Sequence, residues 1–221
     1  MTNFPNSPRI LKGGLVLIDP DTSVVQRIIV LQYNPDTLTR TLQVQGAGAD
    51  SGDHLEALRL KGPPVETIKL DAEIDATDQL EQPTQGQNQV ATELGIYPQL
   101  AMLETIIYPT SSHLQSTNTL AQLGTIEIAP AQAPLTLFVW SRTRILPVRI
   151  TDFSITEEAF DVALNPIRAK VSLGMRVLSV NDLGFDHKGG NLFMSYLQQK
   201  EQLAARLQGG ALGALGLTGI P

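Results

Sequence analysis

The sequence predicts a mainly β protein. The expected form is an antiparallel sandwich or barrel with one packed helix, plus a C-terminal helix and a glycine-rich tail. Three observations carry this. Between Leu60 and Glu81, Ile68, Leu70, Ala72, Ile74 and Ala76 alternate with Lys69, Asp71, Glu73 and Asp75, the period of a strand with one face in a core. Further segments rich in Val, Ile and Leu are joined by short turns, which favours antiparallel pairing. Only one central and one late stretch change to helical spacing.

In chain order, Leu11–Ile18 and Arg27–Tyr33 flank the turn composition Asp19-Pro20-Asp21-Thr22 and read as a hairpin. Tyr33-Asn34-Pro35-Asp36 is a second turn, because Asn before Pro is pushed out of the helical region. Thr37–Gln45 alternates, with Leu38, Leu42 and Val44 on one face. Gly46–Gly52 reads as a flexible loop, and Lys61-Gly62-Pro63-Pro64 leads into the long strand. Asp78–Glu93 is Gln-rich, contains Pro83 and Gly86, and reads as a long loop. Pro98–Ile107 sets Leu100, Leu103, Ile106 and Ile107 at helical spacing, with Pro98 in the first turn, where its missing N–H costs nothing. Tyr108-Pro109 ends that helix, and Ser111–Asn118 reads as a polar loop. Strands then follow at Thr125–Ile128, Leu135–Arg142, Arg144–Phe160 with a bend at Pro147, and Ile167–Val177. Asn191–Gln208 is an amphipathic helix with Leu192, Phe193, Tyr196, Leu197, Leu203 and Leu207 on its apolar side, ended by Gly209-Gly210. The count is roughly eight strands and two helices. The expected division is a β domain over 1–186, then a helix and apolar Gly/Ala tail over 187–221.

Composition narrows the function. With 221 residues, 42% of them hydrophobic and 5% aromatic, the chain affords a sizeable aliphatic core. A net charge of −6 argues against nucleic acid as a partner, since phosphate binding needs a basic field. Without cysteine there is no disulfide framework, thiolate nucleophile or Cys-ligated metal. The N-terminus MTNFPNSPRILKGG does not read as a signal peptide, and no apolar run approaches the ~20 residues of a transmembrane helix. The expectation is cytoplasmic assembly without direct membrane insertion.

The search for chemistry returns little. His54, His113 and His187 read as loop histidines with no His or Cys at metal-ligand spacing. Asp71, Glu73, Asp75, Asp78 and Glu81 form a carboxylate cluster, but the segment lacks the aromatics of a sugar cleft. No glycine-rich stretch has the Lys and Ser or Thr of a phosphate loop. No serine sits in a Gly-x-Ser-x-Gly turn. Trp140, beside Arg142 and Arg144, reads as a core or subunit anchor. The sequence therefore points to a non-enzymatic protein with no cofactor.

Charge segregation suggests assembly instead. Asp71, Glu73 and Asp75 make one strand acidic, whereas Arg142, Arg144, Arg149, Arg168, Lys170 and Arg176 are basic. An acidic edge could meet the basic edge of the next copy in a ring, or the charges could pair within one chain. Candidate interface residues are Asp71, Glu73, Asp75, Arg142, Arg144, Arg168, Lys170 and Arg176.

Leu31-Gln32-Tyr33-Asn34-Pro35-Asp36-Thr37-Leu38 and Lys61-Gly62-Pro63-Pro64-Val65-Glu66-Thr67-Ile68 are followed by Asp75-Ala76-Thr77-Asp78-Gln79-Leu80-Glu81 and Gly95-Ile96-Tyr97-Pro98-Gln99-Leu100-Ala101. This ordered set resembles the tube-domain, baseplate-adaptor family of contractile injection systems, which are phage-tail-like particles. The likeness runs from about Arg9 to about Asp182. It implies a tail-tube-like β-sandwich or barrel and a homo-oligomer, a hexameric ring, at the tube–baseplate junction. The implied partners are the inner tube protein, the spike protein and other baseplate components. The implied mechanism is mechanical, and no catalytic residue comes with the family. A cap-side, tube-end ring of the same particle is the alternative, and a carboxylate-dependent enzyme using Asp71, Glu73 and Asp75 is the less favoured one. Many members carry a C-terminal LysM module, but after Asp182 this chain offers only a helix and a Gly/Ala/Leu tail.

Overall fold

The computed structural model describes residues 10–46, 59–122, 133–207, 209–210 and 212–220. Seven strands form one sheet: β1 (Gly14–Ile18), β2 (Val25–Val30), β3 (Leu38–Gln43), β4 (Val65–Asp75), β5 (Leu135–Ser141), β6 (Arg144–Phe160) and β7 (Pro166–Val177). Their order is β2-β1-β5-β6-β7-β4-β3, and every neighbouring pair is antiparallel. The mainly β antiparallel class thus matches the expectation. The predicted strand over Thr125–Ile128 lies outside the described residues.

Alternation explains the sheet. In β4, Glu66, Ile68, Leu70, Ala72 and Ile74 are buried, while Lys69, Asp71 and Glu73 are exposed. Its neighbour β7 buries Ala169, Val171, Leu173, Met175 and Val177 on the same side. These residues join Leu15, Leu17, Ile29, Phe138, Leu146 and Val148 in one core. The sheet rolls to enclose that core. Gln32, just after β2, donates to Asp75 O (2.6 Å) and accepts from Asp75 N (2.9 Å), although β4 stands five places along the sheet.

Helices fill the gap in the roll. The β4–β5 connection contains α1 (Thr77–Leu80), α2 (Gln89–Leu94), α3 (Tyr97–Glu104) and α4 (Ser111–Gln122). Leu100 and Leu103 of α3 enter the core, with Pro98 in its first turn as predicted. Arg27 of β2 donates to Met102 O and Thr105 Oγ1, which ties α3 to the sheet edge. Between α3, β2 and β4 lies a cavity of about 320 Å³, lined by Ile29, Leu31, Ile74, Met102 and Leu103 among others. Gly95 enters α3 at φ 59, with its Cα facing the Pro166 carbonyl, a conformation and an approach that favour glycine.

Two predicted loops are helical. Over 78–93 the chain forms α1, a 3-10 turn at Gly86–Asn88, and α2; of α2 only Ala91 is buried. Over 111–118 it forms α4, which buries nothing. Neither segment has an apolar stripe, so the period gave no signal. A local cap was present at α4, where the Thr110 hydroxyl accepts from His113 N. In the β6–β7 pairing a register irregularity falls between Ile150 and Asp152, while Pro147 stays in register opposite Leu137 and its carbonyl accepts from Leu178 N.

The C-terminal part docks on the sheet. After α5 (Val180–Leu183), α6 (Lys188–Arg206) begins earlier than predicted, because His187 Nδ1 accepts from Gly189 N as its cap. Phe193 and Tyr196 of α6 belong to the same core as the strands. Helix α6 ends at Arg206, before the predicted Gly209-Gly210 stop, and a 3-10 turn at Leu212–Leu215 lies in the tail.

Candidate functional site

The predicted interface residues fall into two places. Asp71, Glu73 and Asp75 lie on the outer face of β4, opposite Ser172, Lys170 and Arg168 of β7. The acidic and basic strands are therefore hydrogen-bonded neighbours in one chain, not two separate edges. Charge pairing between them is partly internal. Arg168 Nε lies 2.8 Å from Asp75 Oδ2, and Ser172 Oγ donates to Asp71 Oδ1 at 2.6 Å. Lys170 turns to Glu158 of β6 at 3.4 Å. Arg176 pairs with Asp182 at 2.6 Å, and Asp182 in turn completes the capping box of α5 with Ser179.

Asp75 sits at the junction of β4 and α1. Burial opposes its charge, but this is outweighed by hydrogen bonds from the Thr77 hydroxyl and N–H and by Arg168, so its carboxyl is held below the ordinary carboxylate value. Arg168 is shifted the opposite way, upward, first by its hydrogen bond to Asp75.

Arg142 and Arg144 lie elsewhere, at the β5–β6 turn. Arg144 lines an open groove of about 490 Å³ with Arg40, Trp140, Tyr196, Lys200 and Leu203. Beneath it is a cluster the sequence reading missed. Glu66 is 3% exposed. Its carboxylate accepts from Arg40 Nε (2.7 Å), Tyr196 Oη (3.2 Å) and Lys200 Nζ (3.1 Å). Arg40 also donates to Tyr196 Oη (2.9 Å), and Lys200 Nζ lies 4.1 Å over the Tyr196 ring. A buried carboxylate needs such partners, because isolated burial of its charge is very costly. The cluster links β3, β4 and α6. Its signal was legible: Glu66 shares the inward parity of Ile68 and Leu70.

Among the described residues, no group of three or more His, Cys, Asp or Glu is placed to hold a metal ion. His113 lies within α4 rather than in a loop, whereas His187 lies in the loop before α6, as predicted, and caps that helix; His54 lies outside the described residues.

No family model and no curated protein matches the chain. Among solved structures, it is similar to the tail of an empty GTA particle, computed with helical refinement in C6 symmetry. That likeness has 12% identity and a TM-score of 0.27, and covers 75% of this chain and 90% of that one.

Proposed function

We propose that the chain is a structural, non-enzymatic ring subunit at the tube–baseplate junction of a contractile injection system, connecting the inner tube to the central spike. One structural observation supports assembly most directly. Strand β5 covers β6 only from Arg144 to Val148. From Asp152 to Phe160, β6 is paired with β7 on one side and, among the described residues, with no strand on the other. The arm ends in exposed Phe160, Val162 and Leu164. An open strand edge with an apolar tip is an aggregation hazard in a lone molecule and is removed when a neighbour covers it. The ordered motifs from Leu31 to Ala101 supply the junction assignment.

In this role the protein works by fit. Its ring would match the tube above and the spike below, and travel with the tube when the sheath contracts. The test is to co-express the chain with the tube and spike proteins from its own gene neighbourhood and image the product. The expected result is a six-membered ring bound to both. A chain that stays monomeric and binds neither would sink the proposal.

A further inference from the structure

We propose that the groove between α6 and the β5–β6 turn docks an acidic segment of a partner polypeptide, with a carboxylate set beside an apolar side chain. The charge balance carries the argument. Arg40, Arg144 and Lys200 line the groove, and among the described residues Glu66 is the anion paired with the first and last of them. Glu66 engages Arg40 and Lys200, while the Arg144 side chain makes no hydrogen bond or ion pair with any described residue. Locally the surface is cationic, in a chain whose net charge is −6. A guanidinium left without a partner among the described residues is suited to a carboxylate, which it can bind in a two-pronged geometry.

The rest of the groove fits a side chain better than a small ion. Its floor is Trp140, whose ring stacks on Phe138 at 5.9 Å between centroids. Gly13 lets that ring lie flat, since a Cβ there would meet Trp140 Cε3 at 2.8 Å. Leu203 of α6 forms an apolar rim and is more than half exposed. At about 490 Å³ the space exceeds what a lone carboxylate needs. The walls are fixed in advance, because Glu66 ties α6 to β3 and β4, so little ordering cost falls on docking. Nucleic acid is disfavoured, as the acidic remainder of the chain would repel its phosphates.

Trp140 is the only tryptophan, so its emission reports directly on the groove. The intact chain is titrated with acetyl-Leu-Glu-Leu-Glu-amide and, separately, with acetyl-Leu-Lys-Leu-Lys-amide. A saturable change is expected with the glutamate peptide only. Arg144→Glu should weaken it about tenfold while Arg144→Lys retains most of it, the order expected when attraction becomes repulsion. Unchanged melting of both variants shows that the fold is intact. Four results would overturn the proposal: no saturable change, an equal response to both peptides, equal competition by inorganic phosphate, or an emission shift with protein concentration alone, which would assign the groove to a second copy. The measurement does not depend on ring formation, so its failure leaves the ring reading untouched.

Discussion

Removing the Glu66 carboxylate would leave Arg40 and Lys200 side by side under α6 with no anion between them. Breaking a buried pair in this way strands charge, so Glu66→Ala is expected to cost about 3 kcal/mol in urea unfolding. Limited proteolysis should then cut first in α6, because Tyr196 and Lys200 anchor that helix through Glu66. A variant as stable as the parent would show that the cluster contributes nothing. At the tip of the β6–β7 arm, Leu164 holds φ 65 and is exposed. A bulky residue in the left-handed region is strained by about 1 kcal/mol, which asparagine relieves. Leu164→Asn is therefore expected to raise the melting temperature of the monomer while weakening assembly, and a loss of stability would contradict that account. At this scale the sequence revealed parity and hid partnership. Alternation placed Asp71, Glu73 and Asp75 outward and Glu66 inward, but Tyr196 and Lys200 lie more than a hundred residues from Glu66, and no local pattern links them.

The elements with an apolar period were legible, and the polar ones were not. Strand β4, α3 and α6 bury Ile68 and Leu70, Leu100 and Leu103, and Phe193 and Tyr196, and each was readable from spacing. Helices α1, α2 and α4 bury almost nothing, so no apolar period marks them in the sequence. Strand β4 itself separates two kinds of substitution. Ile74→Asp would place a charge in the core and is expected to abolish folding, seen as loss of cooperative melting, whereas Asp71→Asn and Glu73→Gln should leave melting nearly unchanged. Asp75 differs from them because it joins β4 to α1 through Thr77 and to β7 through Arg168. Its folded carboxyl lies below the unfolded value of about 3.9. The stability it supplies is therefore complete above that pH and is lost as pH falls through the lower, folded value. Asp19 and Asp161, each held down by hydrogen bonds within its own turn, act in the same direction. Unfolding free energy is expected to fall as pH drops below about 4, and Asp75→Asn should flatten part of that acid limb. An identical acid limb in the variant would remove Asp75 from the account.

For the molecule as a whole, the rolled sheet satisfies its own core and, among the described residues, leaves strand edges open. Exposed Ile28 and Val30 on β2, Leu42 on β3, and Phe160 beyond the paired length of β5 are apolar groups that the fold does not use. Natural sheets usually blunt such edges with charge or proline. The arm carries some charge, at Asp152, Glu157 and Glu158, but Glu158 is engaged across the sheet by Lys170 of β7. Among the described residues no strand covers that side of β6 beyond Val148, which leaves backbone able to pair with a strand of another molecule. The sequence alone could not show this, because the uncovered length of β6 is set by where β5 begins, at Leu135, whereas the β5–β6 turn at Arg142 lies at the paired end. If the arm serves assembly, its tip and its fold are separable. Phe160→Asp together with Val162→Ser touches no residue of the core and should leave monomer melting unchanged, as expected for exposed positions. The same change should abolish ring formation, read by mass photometry and imaging alongside the parent chain. Rings that form equally well in the double variant would move the contact away from the arm, and a variant that fails to fold would show that the tip supports the monomer itself.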